Sequence, residues 1–214
     1  MFLNIKKLIY LNFLMFHMIK ELILNGILPV AETAAFMAGI AILILSIKFF
    51  RKPGVVSKII MGIIFGLLAI YGTIRGIKLE NAIVNVRDTA PMIAGLVGGP
   101  ITGIIAGLMG GIQRYFVGGF TAIPCALATI IAGTVAGLLS FRIIKSKHLL
   151  LNAMLLVACI ELLHMFLILL IGNPFFKAFA IVNEIYIPMI VGNVFGVGLF
   201  FFIQERIKSD ILRN

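Results

Sequence analysis

A chain of 214 residues with 62% hydrophobic and only 12% charged residues has more apolar surface than a soluble domain of this size can bury. Its net charge of +10 does not indicate a nucleic-acid partner, because the Lys and Arg residues form short clusters between apolar segments rather than one polar face. The composition therefore predicts an all-α integral membrane protein with the lipid bilayer as its solvent.

The apolar segments, in chain order, predict a bundle of five to six transmembrane helices. Residues 1–26 mix charged with apolar residues, which favours an interfacial helix. An extra crossing and a cleaved signal peptide are the alternatives for this segment. Six stretches of near-spanning length follow, at 28–47, 59–74, 90–111, 120–140, 149–171 and 181–203. We expect residues 27–206 to form one membrane domain and residues 207–214 to begin a cytosolic linker.

Three clusters of basic residues orient the chain. They are Lys48, Arg51, Lys52 and Lys58, then Arg142, Lys145 and Lys147, and finally Arg206, Lys208 and Arg213. Because basic loops stay in the cytoplasm, the clusters predict a multi-pass protein of a bacterial-type plasma membrane with a cytoplasmic C-terminus. Residues 59–141 then cross an even number of times, although they contain three apolar stretches. One stretch should therefore not span.

Residues 88–113 are the best candidate for the stretch that does not span, because Gly98-Gly99-Pro100 interrupts them. A re-entrant hairpin with halves of about eleven or twelve residues, roughly 17 Å each, fits this break. The alternative is one straight helix, favoured by glycines at every fourth position from Gly95 to Gly111. The hairpin places Arg87 beside Arg114, whereas the straight helix separates them by about 40 Å.

Arg87 and Arg114 are the leading candidates for a binding site. Guanidinium groups pair bidentately with carboxylates, so two convergent arginines suit a small carboxylate ligand. The alternative is that Arg87 pairs with Asp88 or Glu80 and that Arg114 extends to a lipid headgroup.

Further polar or small residues could support such a site. Cys125 and Thr129, one turn apart, are predicted to line the pocket, although Cys125 could be a small core residue and Thr129 could bond the carbonyl one turn back. The glycines at 98, 99, 118 and 119 would leave backbone amides accessible to a ligand, with ordinary packing as the alternative. For Gly133 and Gly137 we favour packing.

Glu161 and His164 are three residues apart in the fifth apolar stretch, so their side chains can meet within the membrane. A proton-linked pair is one interpretation, and a mutually satisfied pair that fixes helix register is the preferred one. A single Glu-x-x-His motif predicts no metal site. Asn193, beyond Pro188, is interpreted as an interhelical contact or as backbone repair near a kink.

Motifs for catalysis are absent from the sequence: it contains no P-loop, no G-x-S-x-G elbow, no HExxH and no Ser/His/Asp set. We therefore expect this chain to be no enzyme and to need no cofactor.

A long, ordered pattern resembles the LytS/YhcK-type five-transmembrane receptor family. It consists of Asn85-Val86-Arg87-Asp88 followed, from Gly95 to Leu139, by GLVGGPITGIIAGLMGGIQRYFVGGFTAIPCALATIIAGTVAGLL. Ile187-Pro188-Met189 and Asn193-x-x-Gly196 are also similar to the family, so the resemblance covers about residues 27–206.

The resemblance implies a sensory domain of a histidine kinase, or of a cyclic-di-GMP enzyme, that senses pyruvate or related cell-surface signals. By matching motif, Arg87, Arg114 and Cys125 correspond to residues implicated in pyruvate recognition, with Asn85 in support. A family serine three positions after the cysteine is Ala128 here, and the neighbouring Thr129 could supply the hydroxyl instead.

The leading functional hypothesis is a membrane receptor that binds a small, pyruvate-like carboxylate and signals to a cytosolic kinase or other output module, fused or separate. The sequence is interpreted as either a truncated receptor or a member that works through a partner, and a homodimer is a further expectation. The alternatives are a substrate-binding subunit of a vitamin or metabolite importer and a purely structural membrane protein.

Overall fold

The computed structural model of the protein describes residues 15–47, 50, 54–79 and 82–213. In this part of the chain, five helices are long and apolar enough to cross a membrane, which confirms the predicted all-α membrane bundle. They are α1 (Met15–Ser46), α2 (Val55–Ile74), α5 (Ala122–Ile144), α6 (Leu149–Ile171) and α7 (Phe175–Arg213). Two shorter helices, α3 (Thr89–Gly98) and α4 (Pro100–Val117), lie between α2 and α5 in the chain.

The first helix differs from the prediction. Residues 15–26 do not form a helix of their own, because they continue into the rest of α1 through a π-helical turn at Leu22–Ile27. Pro29 follows this turn and has no backbone N–H to donate to a carbonyl of the preceding turn. A π turn is wider than an α turn and accommodates such a residue without breaking the helix. The boundary predicted at residue 26, between an interfacial helix and the membrane domain, is therefore not a helix end. Residues 1–14 lie outside the described residues, so the interfacial placement stays a prediction.

The chain reverses direction between α3 and α4, at the predicted break. Gly99 has a φ of 81°, a conformation that glycine adopts without strain, and Pro100 begins α4. A Cβ built on Gly103 would lie 2.8 Å from the Cα of Gly95, whereas eight residues of one straight helix would span roughly 12 Å. The straight-helix alternative is therefore wrong, and α3 and α4 form a hairpin.

The two arms of the hairpin are unequal, contrary to the prediction of two similar halves. The first arm, α3, has 10 residues and α4 has 18. The difference arises because α4 continues past residue 113, the predicted end of the hairpin, to Val117. The chain entering α3 is buried without being helical, since the side chains of Val84, Asn85 and Val86 are at most 3% exposed. A short antiparallel pair, β1 (Ile77–Lys78) with β2 (Ile83–Val84), precedes this segment and was not predicted.

The short helix α3 lies at the centre of the bundle. It packs against α1, α2, α4, α5 and α7, and nine of its ten residues are buried. Small residues make this possible: a Cβ on Gly95 would lie 2.6 Å from the carbonyl oxygen of Gly133, and a Cβ on Gly137 would lie 2.6 Å from the Cα of Pro100. The packing role predicted for Gly133 and Gly137 is thus confirmed.

The hairpin turn lies toward one membrane face and the hairpin ends lie toward the other. Near the turn, Thr102 donates a hydrogen bond to the backbone carbonyl of Lys58, in the first turn of α2 (3.3 Å). At the ends of the hairpin, a Cβ built on Gly72, near the last turn of α2, would contact the backbone of Arg87. Arg87 and the end of α4 therefore share the end of the bundle opposite to Lys58.

Cysteine labelling tests this topology. In a Cys159→Ser background, the exposed positions Lys78→Cys and Val117→Cys should react with a membrane-impermeant maleimide from the same membrane side, and Lys147→Cys, between α5 and α6, from the opposite side. The hairpin requires this pattern because it returns the chain to the face it left. Labelling of positions 78 and 117 from opposite sides would rule it out.

Candidate functional site

Arg87 is fully buried, and four side chains or carbonyls from three parts of the fold hold it in place. The Asn85 side chain accepts a hydrogen bond from the Arg87 backbone N–H (3.0 Å), which shapes the turn before α3. The guanidinium donates from Nε to the hydroxyl of Thr129 (2.6 Å), from Nη1 to the hydroxyl of Thr73 (3.4 Å) and from Nη2 to the carbonyl of Cys125 (3.4 Å). Arg87 is therefore fixed between α2 and α5.

Asp88 is the charge partner of Arg87. Its Oδ1 lies 3.4 Å from Nε of Arg87 and accepts a hydrogen bond from Thr129 (2.6 Å). The alternative in which Arg87 pairs with Asp88 thus describes the structure, whereas Glu80 lies outside the described residues. The hydroxyl of Thr129, which was predicted to contact a ligand, instead joins the two charged side chains, and it also lies 3.0 Å from the carbonyl of Cys125 one turn back.

Arg114 does not extend to a headgroup, because it is only 1% exposed. Its Nη1 donates to the carbonyl of Gly118 (2.7 Å) and its Nη2 to the hydroxyl of Thr121 (2.9 Å). Gly118 and Gly119 both have positive φ and form the turn after α4. Nε of Arg114 has no hydrogen-bond partner among the described residues. This buried donor is available to a ligand.

The two arginines converge on the first turns of α5. Arg114 bonds Thr121 and Arg87 bonds the carbonyl of Cys125, and the backbone N–H of Cys125 in turn bonds Thr121. The two anchoring residues are therefore one helical turn apart, roughly 6 Å along α5. A Cβ built on Gly110, one turn before Arg114 on α4, would lie 3.6 Å from the Arg87 side chain. The hairpin thus places both arginines at the same end of the bundle, against the first turns of α5.

A cavity of about 260 Å³ opens beside Arg114. Its lining includes Arg114, the Gly118-Gly119 turn, Phe120 and, from β1, the exposed Lys78. Typical sites for drug-sized ligands start near 300 Å³, so this cavity suits a smaller molecule. Two cations at its wall and mouth favour an anion.

Glu161 and His164 meet, as predicted, but they are not a mutually satisfied pair. His164 Nδ1 lies 3.7 Å from Glu161 and closer, 3.0 Å, to Oδ2 of Asp88. All three side chains are buried, and neither oxygen of Glu161 has a hydrogen-bond partner among the described residues. Ligand atoms of the three residues lie within 4.8 Å of one another, which is close enough to hold a metal ion. The sequence could not show this, because Asp88 is remote from Glu161 in the chain.

Cys125 links the arginines to this acidic cluster. Its buried thiol is close enough to the side chains of Arg114 and His164 to interact with both. The arrangement therefore forms one continuous polar cluster inside an apolar bundle, which consists of Arg87, Asp88, Arg114, Cys125, Thr129, Glu161 and His164 and is called the polar cluster below.

Asn193 connects the first residue of α3 to α7. Its Oδ1 accepts a hydrogen bond from Thr89 (2.8 Å), and its Nδ2 donates to the carbonyl of Met189 one turn back (3.0 Å). The predicted interhelical contact is therefore present. The predicted backbone repair is not seen, because Asn193 bonds Met189 and not Glu184, whose carbonyl loses its α-helical donor at Pro188. The predicted supporting glycines divide: Gly118 and Gly119 line the cavity, whereas Gly98 and Gly99 lie at the hairpin turn, the length of α3 away from Arg87.

Sequence reasoning missed Thr73, Thr121, Lys78 and Thr89. The threonines gave no signal, because a hydroxyl within an apolar segment usually bonds its own helix. Lys78 could have been found, since it is a cation on the side of the membrane that the charge rule leaves poor in Lys and Arg.

Replacing Thr129 tests how the polar cluster is held. Thr129→Val should lower the stability of the folded protein by about 1–3 kcal/mol, because Arg87 Nε and Asp88 Oδ1 each lose a buried partner. Thr129→Ser keeps the hydroxyl and should retain most of that stability. Thermal unfolding of both variants in lipid nanodiscs measures the difference, and equal unfolding temperatures would contradict the bridging role.

Comparison with known proteins identifies the family. Residues 44–207 match the family model described as 5TMR of 5TMR-LYT. The chain is 35% identical over 150 residues to Sensor histidine kinase BtsS of Escherichia coli (strain K12), which covers 67% of this chain and 26% of that protein. It is 33% identical over 196 residues to Sensor histidine kinase YpdA of the same organism, covering 88% and 34%.

A third relative is Sensor protein LytS of Bacillus cereus, 32% identical over 200 residues, which covers 81% of this chain and 33% of that protein. The chain thus spans about a quarter to a third of the length of these relatives. No solved structure matches it. The family model covers well over half of the sequence, and this chain therefore belongs to the 5TMR-LYT family of LytS-type five-transmembrane receptor domains.

Proposed function

We propose that this chain is the membrane-embedded sensory domain of a two-component receptor of the histidine kinase type, and that it recognises a small carboxylate such as pyruvate. The observation that carries the proposal is that two buried arginines lie against the first turns of α5 and that one of them, Arg114, lines a small cavity. Its relatives are named sensor histidine kinases and sensor proteins, which supports a sensory role.

The chemistry of the site favours an anion with a planar, bidentate head. Nε of Arg114 is buried and unpartnered among the described residues, and a buried donor without a partner is costly unless a ligand satisfies it. A carboxylate can accept hydrogen bonds from two guanidinium groups at once. The size of the cavity, about 260 Å³, limits the rest of the ligand to a few atoms.

Access runs through the cavity beside the Gly118-Gly119 turn. Lys78 lies exposed at its mouth and Arg114 lies at its wall, so the field along the path attracts anions and repels cations. Arg87 is deeper and carries no exposed surface. A ligand therefore meets Arg114 first, and contact with Arg87 requires the bundle to adjust.

Binding can alter the bundle because Arg87 has a competing partner. In the structure Arg87 is paired with Asp88, and an incoming carboxylate competes with Asp88 for the guanidinium. Displacement of Asp88 would move the adjacent Thr89, whose hydroxyl bonds Asn193 of α7. A ligand that binds one packing better than the other shifts the population between them, which is the physical requirement for a signal.

The last helix suits a transmitting role. The 39 residues of α7 extend over roughly 58 Å, nearly twice the thickness of the hydrocarbon core. A second cavity, of about 430 Å³, is lined by Val97 at the far end of α3 and by Phe200 and Phe201 of α7. This space leaves room for α3 and α7 to repack. We propose that α7 ends in the cytosol and passes the change to an output module, fused or separate.

Two features of the site favour a small acid other than pyruvate. Ala128 replaces the family serine, and the hydroxyl of Thr129 is already bonded to Arg87 and Asp88. A related small acid remains an outcome of the binding test. Membership of the receptor family weighs against the importer subunit as an alternative.

Titration calorimetry of the full chain in nanodiscs, against a panel of pyruvate, lactate, acetate and succinate, tests the proposal. One member should bind, and Arg114→Gln should weaken its binding at least tenfold, because a hydrogen bond to a charged group contributes about 1.5–3 kcal/mol. Arg75→Gln, which removes an exposed arginine at the end of α2, is the matched control and should bind as the unchanged protein does. Equal binding by both variants would refute the site.

A further inference from the structure

We propose that the buried side chains of Glu161 and His164 form a proton-binding site, and that the anion in the polar cluster binds together with one proton held there. This inference rests on the proposed carboxylate ligand and adds a second, coupled ligand to the same site.

The positive and negative charges within the polar cluster balance. Arg87 and Arg114 supply two positive charges, and Asp88 and Glu161 supply two negative charges when both carboxyls are ionised. With neutral His164 and a neutral Cys125 thiol, the sum is zero. All of these side chains are at most 3% exposed, so water does not screen an imbalance.

In the part of the chain that the structure describes, the elements packed around the polar cluster add no buried charge. The contribution of α2 is the uncharged Thr73, and α5 contributes Cys125 and Thr129. The carboxyls of Glu32 on α1 and Glu184 on α7 are exposed, as is Lys78, which lines the cavity. No further buried charge among the described residues can offset a change in the cluster.

A carboxylate ligand adds one negative charge to this set. An uncompensated charge inside a membrane bundle is strongly unfavourable, so the complex is stable when the cluster takes up one proton or already holds it. Asp88 is an unfavourable proton acceptor, because its Oδ1 accepts from Thr129 and faces the guanidinium of Arg87. The proton acceptor is therefore the pair of Glu161 and His164 on α6.

The geometry of the pair fits a shared proton. Neither oxygen of Glu161 has a hydrogen-bond partner among the described residues, although both are buried. His164 Nδ1 lies 3.0 Å from Asp88 and 3.7 Å from Glu161. A proton added to Glu161 or to His164 supplies an N–H or O–H donor for a buried acceptor of Asp88, Glu161 or His164.

A divalent metal ion is the competing occupant, because the ligand atoms of Asp88, Glu161 and His164 lie within 4.8 Å of one another. The count of charges disfavours it: two further positive charges beside Arg87 would leave the cluster at +2, and a monocarboxylate would not cancel that. A proton balances the monocarboxylate one to one.

The test is calorimetric titration of the full chain in nanodiscs with pyruvate as the probe, from about pH 5.5 to about pH 8.5 in steps of about one pH unit. Above the pH at which the pair loses its proton, affinity should fall about tenfold per pH unit, as one linked proton requires. Titrations in two buffers of different ionisation enthalpy should show about one proton taken up per pyruvate in that range.

Glu161→Gln separates this inference from a merely structural role of the pair. The amide mimics the protonated carboxyl, so this variant should bind pyruvate at high pH as tightly as the unchanged protein does at low pH, with no pH slope. Glu184→Gln, at an exposed carboxyl of α7, is the matched control and should keep the slope.

Each outcome decides a separate point. Pyruvate binding without a pH slope, or a slope retained in Glu161→Gln, overturns the proton site. Loss of binding at all pH values in a folded Glu161→Gln protein shows that the carboxyl itself contacts the ligand and also overturns it. One bound metal ion per chain by elemental analysis replaces the proton with the metal. If the unchanged protein binds none of pyruvate, lactate, acetate and succinate at any pH, the proposed carboxylate ligand is overturned, and the proton site with it; if another member of this panel binds in place of pyruvate, the same pH series with that acid decides the proton site.

Discussion

The burial of the Arg87 guanidinium is the constraint on which the site depends. A charged group at this depth is tolerated only if its charge and its donors are satisfied from within the protein. Asp88 supplies the opposite charge. The N–H groups of the Arg87 guanidinium are accepted by Thr73, by Thr129 and by the Cys125 carbonyl. These partners come from α2, from α5 and from the turn before α3, so the position of Arg87 and the packing of three elements are fixed together.

The hairpin makes this arrangement possible. Its central arm α3 is short and apolar and contains small residues, which lets five neighbouring helices approach it. The turn that carries Arg87 and Asp88 contacts the polar cluster on one side and α7 on the other, where Gly192 and Gly196 admit Val86 and Thr89 at close range. One short segment therefore joins the place where a ligand would bind to the helix that leaves the membrane.

Much of this architecture could be predicted from the sequence, because the physics involved is local or additive. Apolar length indicates the helices, and charge parity with the Gly98-Gly99-Pro100 break indicates the hairpin, which then places Arg87 near Arg114. Asp88 was one of the two partners that the sequence offered for Arg87, but the other partners of these arginines could not be predicted. Asp88 meets His164, and Thr129 meets Arg87, only through tertiary packing, and the continuity of α1 through a π turn leaves no mark in composition.

The most direct test of two guanidinium groups holding one anion is a solid-state NMR distance measurement on the full chain in lipid, with ¹³C in the carboxyl of the bound acid and ¹⁵N in the arginine side chains. The account predicts dephasing of the carboxyl signal from nitrogens within about 4 Å, reduced in Arg87→Lys and again in Arg114→Lys. A bound acid whose carboxyl signal shows no dephasing from arginine nitrogens would contradict it.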